Sequence, residues 1–213
     1  MPRSLPSKPS LEYVRKEAKR LLAAHQRGDA SACEVLRCLR RFAGVPDAEI
    51  LAANVSLQKV QHALAQDYGF RSWAKLREFC SDVRSIPYSV CPGRCGPRYA
   101  EELQVAVTEV LGTSAAVRTG EQYLVRGEYE LASDSDIARV MLSGLGRNRG
   151  KPCPLPAGRG QFELTTELLE AEPDRERYLD ILIGTKSGDV VGTRLRIALE
   201  PQIGSSDGEA ERT

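Results

Sequence analysis

The sequence predicts an α+β protein of two domains, an N-terminal all-α bundle of about five short helices followed by a small antiparallel β-sandwich or barrel. Three observations predict it. Apolar residues recur at three- and four-residue intervals up to Cys80 and at two-residue intervals beyond Leu103. The formal charge changes sign along the chain, with 16 basic and 9 acidic residues through Cys95 and 14 and 20 after it. Between the two regimes lies 81–97, SDVRSIPYSVCPGRCGP, whose three prolines and two glycines without a sustained period read as a linker. The expected division is a basic helical domain over 1–80, a linker over 81–97, an acidic β-domain over 98–203 and a disordered acidic tail over 204–213.

Each helix has its own signals. Ser10 precedes a segment with Leu11, Val14, Ala18, Leu21, Leu22 and His25 on one face, and Gly28 stops it. A second helix is expected from Ser31 to Phe42, carrying Val35, Leu36, Leu39 and Phe42, and Pro46-Asp47 opens a short third with Ile50 and Leu51. The stretch SLQKVQHALAQDYGFRSWAKLREFC specifies a helix pair most sharply. Ser56 caps a helix with Leu57, Val60, Leu64 and Tyr68, Gly69 suits a left-handed exit, and Ser72 recaps one with Trp73, Leu76 and Phe79. Short connections imply a packed bundle with Tyr68, Phe70, Trp73 and Phe79 as core aromatics.

The strands follow from alternation. Leu103, Val105 and Val107 place a strand start near Leu103, after a beginning of helical character from Arg98. Tyr123, Val125, Gly127, Tyr129 and Leu131 alternate with Leu124, Arg126, Glu128 and Glu130. Ile137 to Leu142, Gln161 to Leu168, Tyr178 to Ile183 and Thr193 to Leu199 supply four more, separated by Gly, Pro, Asp and Ser. Six strands in about 100 residues suit a sandwich or barrel.

Residues Ala63, Leu64, Ala65, Tyr68, Gly69, Phe70, Ser72, Trp73 and Leu76 carry a resemblance to a short helical module found ahead of ankyrin repeats in bacterial proteins. It covers Ser10 to Cys80 and implies a helical bundle without a catalytic residue. No TPLHxA-like 33-residue unit follows, so the ankyrin surface that such a module accompanies is not in this sequence. TSAAVRTGEQYLVRGEYELASDSD and GRGQFELTTELL resemble small β-sandwich accessory modules of diverse bacterial proteins, which implies a fold and no general activity.

Composition narrows the function classes. With 41% hydrophobic and 28% charged residues the chain sits in the ordinary globular range. No apolar run approaches the roughly 18 residues of a membrane span, and no secretory signal pattern opens the chain. A cytoplasmic protein with no membrane partner is the expectation. Six cysteines without an export signal are expected as free thiols. Cys91 and Cys95, separated by three residues that include a Pro-Gly turn, are the candidate metal ligands, although zinc sites pair two such hooks or add histidines, and His25 and His62 lie on predicted helices. No metal and no cofactor is therefore expected.

Other constellations have plainer explanations. Gly144, Gly146 and Gly150 resemble a phosphate cradle but continue into a proline-interrupted loop where a helix is required. Asp134 and Asp136, with Asp174 or Asp180, offer oxygens for calcium, yet Asp and Ser in a short connection are explained by turn formation. No G-x-S-x-G or G-x-x-x-x-G-K-[ST] motif occurs. Tyr123 and Tyr129 share a strand face and suit a core better than a sugar-stacking platform. Arg194 and Arg196 face solvent from the last strand and can join Arg126 in a partner surface. Arg37, Arg40 and Arg41, with Lys16, Lys19 and Arg20, form a basic surface for nucleic acid or an acidic partner, whereas the Ser72 helix leaves only Arg71, Lys75 and Arg77 for a groove.

The leading expectation is a non-enzymatic protein-interaction or regulatory protein of unknown partner. The alternative is a nucleic-acid-binding regulator using the basic helical half. The third is an enzyme with a site between the domains.

Overall fold

Serine caps set the helix starts. The computed structural model describes residues 4–6, 8–115, 117, 120–144, 150–167 and 178–200. In it the hydroxyls of Ser10, Ser56 and Ser72 accept the N–H groups of Tyr13, Lys59 and Lys75, opening α1 (Leu11–Gln26), α4 (Leu57–Asp67) and α5 (Trp73–Asp82). Gly69 ends α4 with φ of 83°, and its N–H and that of Phe70 bond to the carbonyls of Gln66 and Ala65, a Schellman closure. Gly28 closes α1 in the same way.

The second expected helix is shorter than its pattern. α2 (Ser31–Leu36) stops where Cys38 and Leu39 take three-residue bonds to Val35 and Leu36, and a separate 3-10 turn spans Arg40–Phe42. Leu39 is extended between them, so Leu39 and Phe42 are both buried without a continuous helix to carry them. α3 (Asp47–Ala52) is tied to α1 by the buried His25, whose Nε2–H donates to the Ile50 carbonyl at 2.9 Å. Tyr68 donates its hydroxyl to Glu17, fastening α4 to α1. Tyr68, Phe70 and Phe79 are core residues, with the Phe70 and Phe79 rings 5.1 Å apart, while Trp73 is half-buried at the rim.

Among the described residues the chain is mixed α+β, with six α-helices and two antiparallel sheets of four and five strands. The segment expected as a linker contributes to both sheets. β1 (Arg84–Ser85) pairs with β3 (Leu103–Gly112), and β2 (Tyr88–Pro92) pairs with β9 (Val190–Leu199). Buried Ile86 between them holds the Val110 carbonyl, and prolines at 87 and 92 interrupt any period a sequence pattern would register. α6 (Pro97–Glu102) then leads into β3, whose start at Leu103 is where the alternation places it.

The first sheet runs β1-β3-β4-β7, with β4 Gln122–Leu131 and β7 Gly158–Glu167. The second runs β2-β9-β8-β5-β6, with β5 Ile137–Ser143, β6 Cys153–Pro154 and β8 Tyr178–Thr185. Their facing residues form one apolar cluster that includes Tyr123, Val125, Tyr129, Phe162, Ile181 and Ile197. Tyr123 and Tyr129 therefore fill a core. Gly146, Leu168, Asp174 and the tail over 204–213 lie outside the described residues.

A bulge at Thr108 changes the phase of β3. Before it Leu103, Val105 and Val107 turn toward the second sheet, and after it Val110 does so while Leu111 turns away. Leu111 and its β4 partner Leu124 join the helical cluster, so the outer face of the first sheet beyond the bulge is the floor of the bundle.

Candidate interaction surfaces

The outer face of the first sheet is a series of rows set by register. At one end stand Gln104, Glu130 and Arg159, then Ala106, Glu128 and Gln161. After the bulge come Glu109, Arg126 and Glu163, followed by Leu111, Leu124 and Thr165 under the helices. The first two rows line an open groove of about 630 Å³.

The Glu109, Arg126 and Glu163 row carries a clamp. Arg126 Nη1 meets Glu109 at 2.6 Å and its Nε meets Glu163 at 2.9 Å. Its Nη2 donates to the carbonyls of Leu5 at 2.6 Å and Pro6 at 3.1 Å, while the Leu5 N–H donates to Glu163 Oε1 at 3.1 Å. Leu5 itself is buried in the helical cluster. Burial pushes the Glu163 carboxyl above its ordinary value, opposed by the Leu5 N–H and by Arg126. Arg126 thus lies on the first sheet, apart from Arg194 and Arg196 on the second. Arg196 forks onto Asp180 at 2.8 and 3.1 Å, and Arg194 donates to the Leu103 carbonyl at 2.7 Å.

The helical half and the first sheet meet through polar contacts. Thr165 donates its hydroxyl to the Tyr68 carbonyl at 3.3 Å directly against Gly69. Lys75 of the helical half faces Glu167 of the sheet at 3.7 Å, and Lys151 of the sheet half donates to the Asp67 carbonyl at 2.9 Å. Lys151 also stands 3.8 Å from the Asp67 carboxylate, so an ion pair crosses the junction in each direction.

The basic candidates are dispersed. Arg37 is drawn to Asp47 at 2.5 Å and toward the Val45 carbonyl, Arg41 stacks 4.1 Å from the Phe42 ring, and Arg40 is exposed. With α2 ended at Leu36 they share no helical face. α1 does present a continuous cationic strip of Arg15, Lys16, Lys19 and Arg20, all exposed, of which Lys16 alone has an ion pair among the described residues, with Glu12 at 2.6 Å. Arg15 with Lys19 and Lys16 with Arg20 are like charges four residues apart, an unfavourable spacing on an isolated helix. On α5, Lys75 also meets Glu78 at 3.1 Å, while Arg71 before the helix and Arg77 on it are exposed.

Cys91 is exposed on β2 and Cys95 bridges to Gly192 in a loop beyond it. Among the described residues no three His, Cys, Asp or Glu side chains gather as metal ligands. All six thiols are free, and burial pushes that of Cys80 up to about 11. The Asp134 and Asp136 connection is a turn in which Ser135 donates to Glu102 at 2.6 Å and accepts the Ile137 N–H, while Asp180 is taken up by Arg196. Gly150 packs on the Thr165 carbonyl and bonds the Leu142 carbonyl.

β2 is the edge of the second sheet, and among the described residues no strand pairs with its other side. Gly93 N–H bonds Arg194 and Glu200 N–H bonds Pro87, so antiparallel alternation turns the N–H and C=O groups of Tyr88 and Val90 outward. Val90 is 48% exposed, and Pro92 places its missing N–H on the same free side. Sequence reasoning missed this edge and the Arg126 clamp, because both depend on registers between segments 37 or more residues apart. A scan against protein-family models matches none of them, and no curated protein matches the sequence.

Proposed function

We propose that this chain is a non-enzymatic interaction protein of the regulatory kind, with a basic helical domain and an acidic β-sandwich domain joined as one scaffold. The observation that carries the reading is the β2 edge, unpaired on its outer side among the described residues, where outward backbone groups at Tyr88 and Val90 flank an exposed apolar side chain. Edges of this kind add an extended segment of a partner by main-chain hydrogen bonds. Val90→Pro is the clean probe, since the N–H it removes points away from β9 and the ladder is kept. Affinity capture with the full chain is expected to recover a specific protein with the natural sequence and to lose it with Val90→Pro. Recovery of no specific protein, together with turnover of a small molecule, overturns the reading.

The nucleic-acid reading is favoured by the α1 strip, whose repelling cations gain a partner on a phosphate backbone. If it holds, the full chain binds duplex with a steep salt dependence. Replacing Arg15, Lys19 and Arg20 by Glu then lowers the slope of log affinity against log salt by roughly 2–3. The same change at Arg37, Arg40 and Arg41 has the smaller effect, because Arg37 is already held by Asp47. Absence of duplex binding at low salt ends this alternative.

A further inference from the structure

Leu5 and Pro6 are held as a bound peptide would be. Their main chain is read at three points by two side chains that stand on neighbouring strands, Glu163 on the Leu5 N–H and Arg126 on both carbonyls. The Leu5 side chain fills an apolar slot between the sheet and the helices, 3% exposed. Pro6 fixes an extended backbone and biases Leu5 the same way, which lowers the ordering cost of docking. The clamp is carried by β4 and β7 and braced by Glu109 on β3, so it is built by the sheet and not by the segment that occupies it. Beyond the clamp the same sheet face continues as the open groove lined by Ala106, Glu128 and Gln161.

We propose that the Arg126–Glu163 clamp and its leucine slot are a recognition site for an extended Leu-Pro segment of a partner protein, occupied in this chain by its own residues 5 and 6. The groove gives the rest of such a segment a place to lie, and Glu128 favours a basic residue within it, Glu130 being paired with Arg159 at 3.1 Å. The tethered copy competes by effective concentration, so a partner segment binds when residues 5 and 6 are displaced. The proposal deepens the interaction reading and rests on it. Because it uses a defined peptide and not partner capture, its failure leaves the β2 edge untouched.

The test uses a fluorescent peptide with the sequence of residues 3–8 and the full chain. Leu5→Ala weakens the tethered competitor, and the peptide is expected to bind this variant at least tenfold more tightly than the natural chain, by anisotropy. Adding Arg126→Gln to Leu5→Ala is expected to abolish the gain, with circular dichroism checking that both remain folded. A folded Leu5→Ala chain that does not bind, or binding unchanged by Arg126→Gln, overturns the proposal. If either variant is unfolded, the natural chain decides: saturating peptide must shift the Leu5 methyl resonances toward their solvent-exposed positions, and unshifted resonances overturn the proposal.

Discussion

Gly69→Ala is expected to cost about 2–4 kcal/mol of unfolding free energy, read as a lowered urea midpoint with an unchanged slope. Two effects act together. The backbone sits at φ of 83°, a conformation unfavourable for any residue with a Cβ, and that atom would lie 1.9 Å from the Thr165 hydroxyl oxygen. Thr165 can turn away only by giving up its bond to the Tyr68 carbonyl. Thr165→Ala in the same chain is therefore expected to restore part of the loss, and the restored part is the steric share. Additive losses would show that Gly69 acts through its backbone angle alone.

Leu124→Ala is expected to cost about 3 kcal/mol and to keep a single melting transition whether followed by tryptophan fluorescence or by the far-ultraviolet strand signal. Leu124 is fully buried, yet it projects from β4 on the face opposite Tyr123 and Val125. Its neighbours are the helices, so removing it opens a cavity where Leu111, the helical cluster and the sheet meet. Trp73 lies at the rim of that cluster and reports the helical half, while the strand signal reports the other half. Two separated transitions would mean that the halves fold independently and that the shared apolar contact contributes little.

The parts of this fold that were legible in the sequence are those fixed by neighbours in the chain. Ser10, Ser56 and Ser72 act within three residues of themselves, Gly69 within five, and the Tyr123 to Leu131 alternation needs only its own strand. The failures have the opposite character. α2 reads on to Phe42 because Leu39 and Phe42 keep helical spacing, whereas their burial is achieved across an extended Leu39. β1 and β2 are short, and only their pairing with β3 and β9 makes them strands. Arg37, Arg40 and Arg41 are adjacent in sequence and apart in role, one paired to an acid, one stacked on a ring and one in solvent. Arg126 and Glu163, 37 residues apart, meet only through the β4–β7 register, and their hold on Leu5 spans 158 residues.

Thr108 lets one strand take part in two cores. Carried through without interruption, the alternation that turns Leu103, Val105 and Val107 toward the second sheet would turn Glu109 into the apolar space between the sheets and leave Val110 facing the helices. A carboxylate there would be desolvated without its arginine, and the bundle would lose Leu111 as its floor. The extra residue works as a change of phase: upstream of it β3 belongs to the inter-sheet core, and downstream it serves both that core and the helical layer. The attachment of the two halves is thus encoded in a count of residues along β3 as much as in the identity of its side chains.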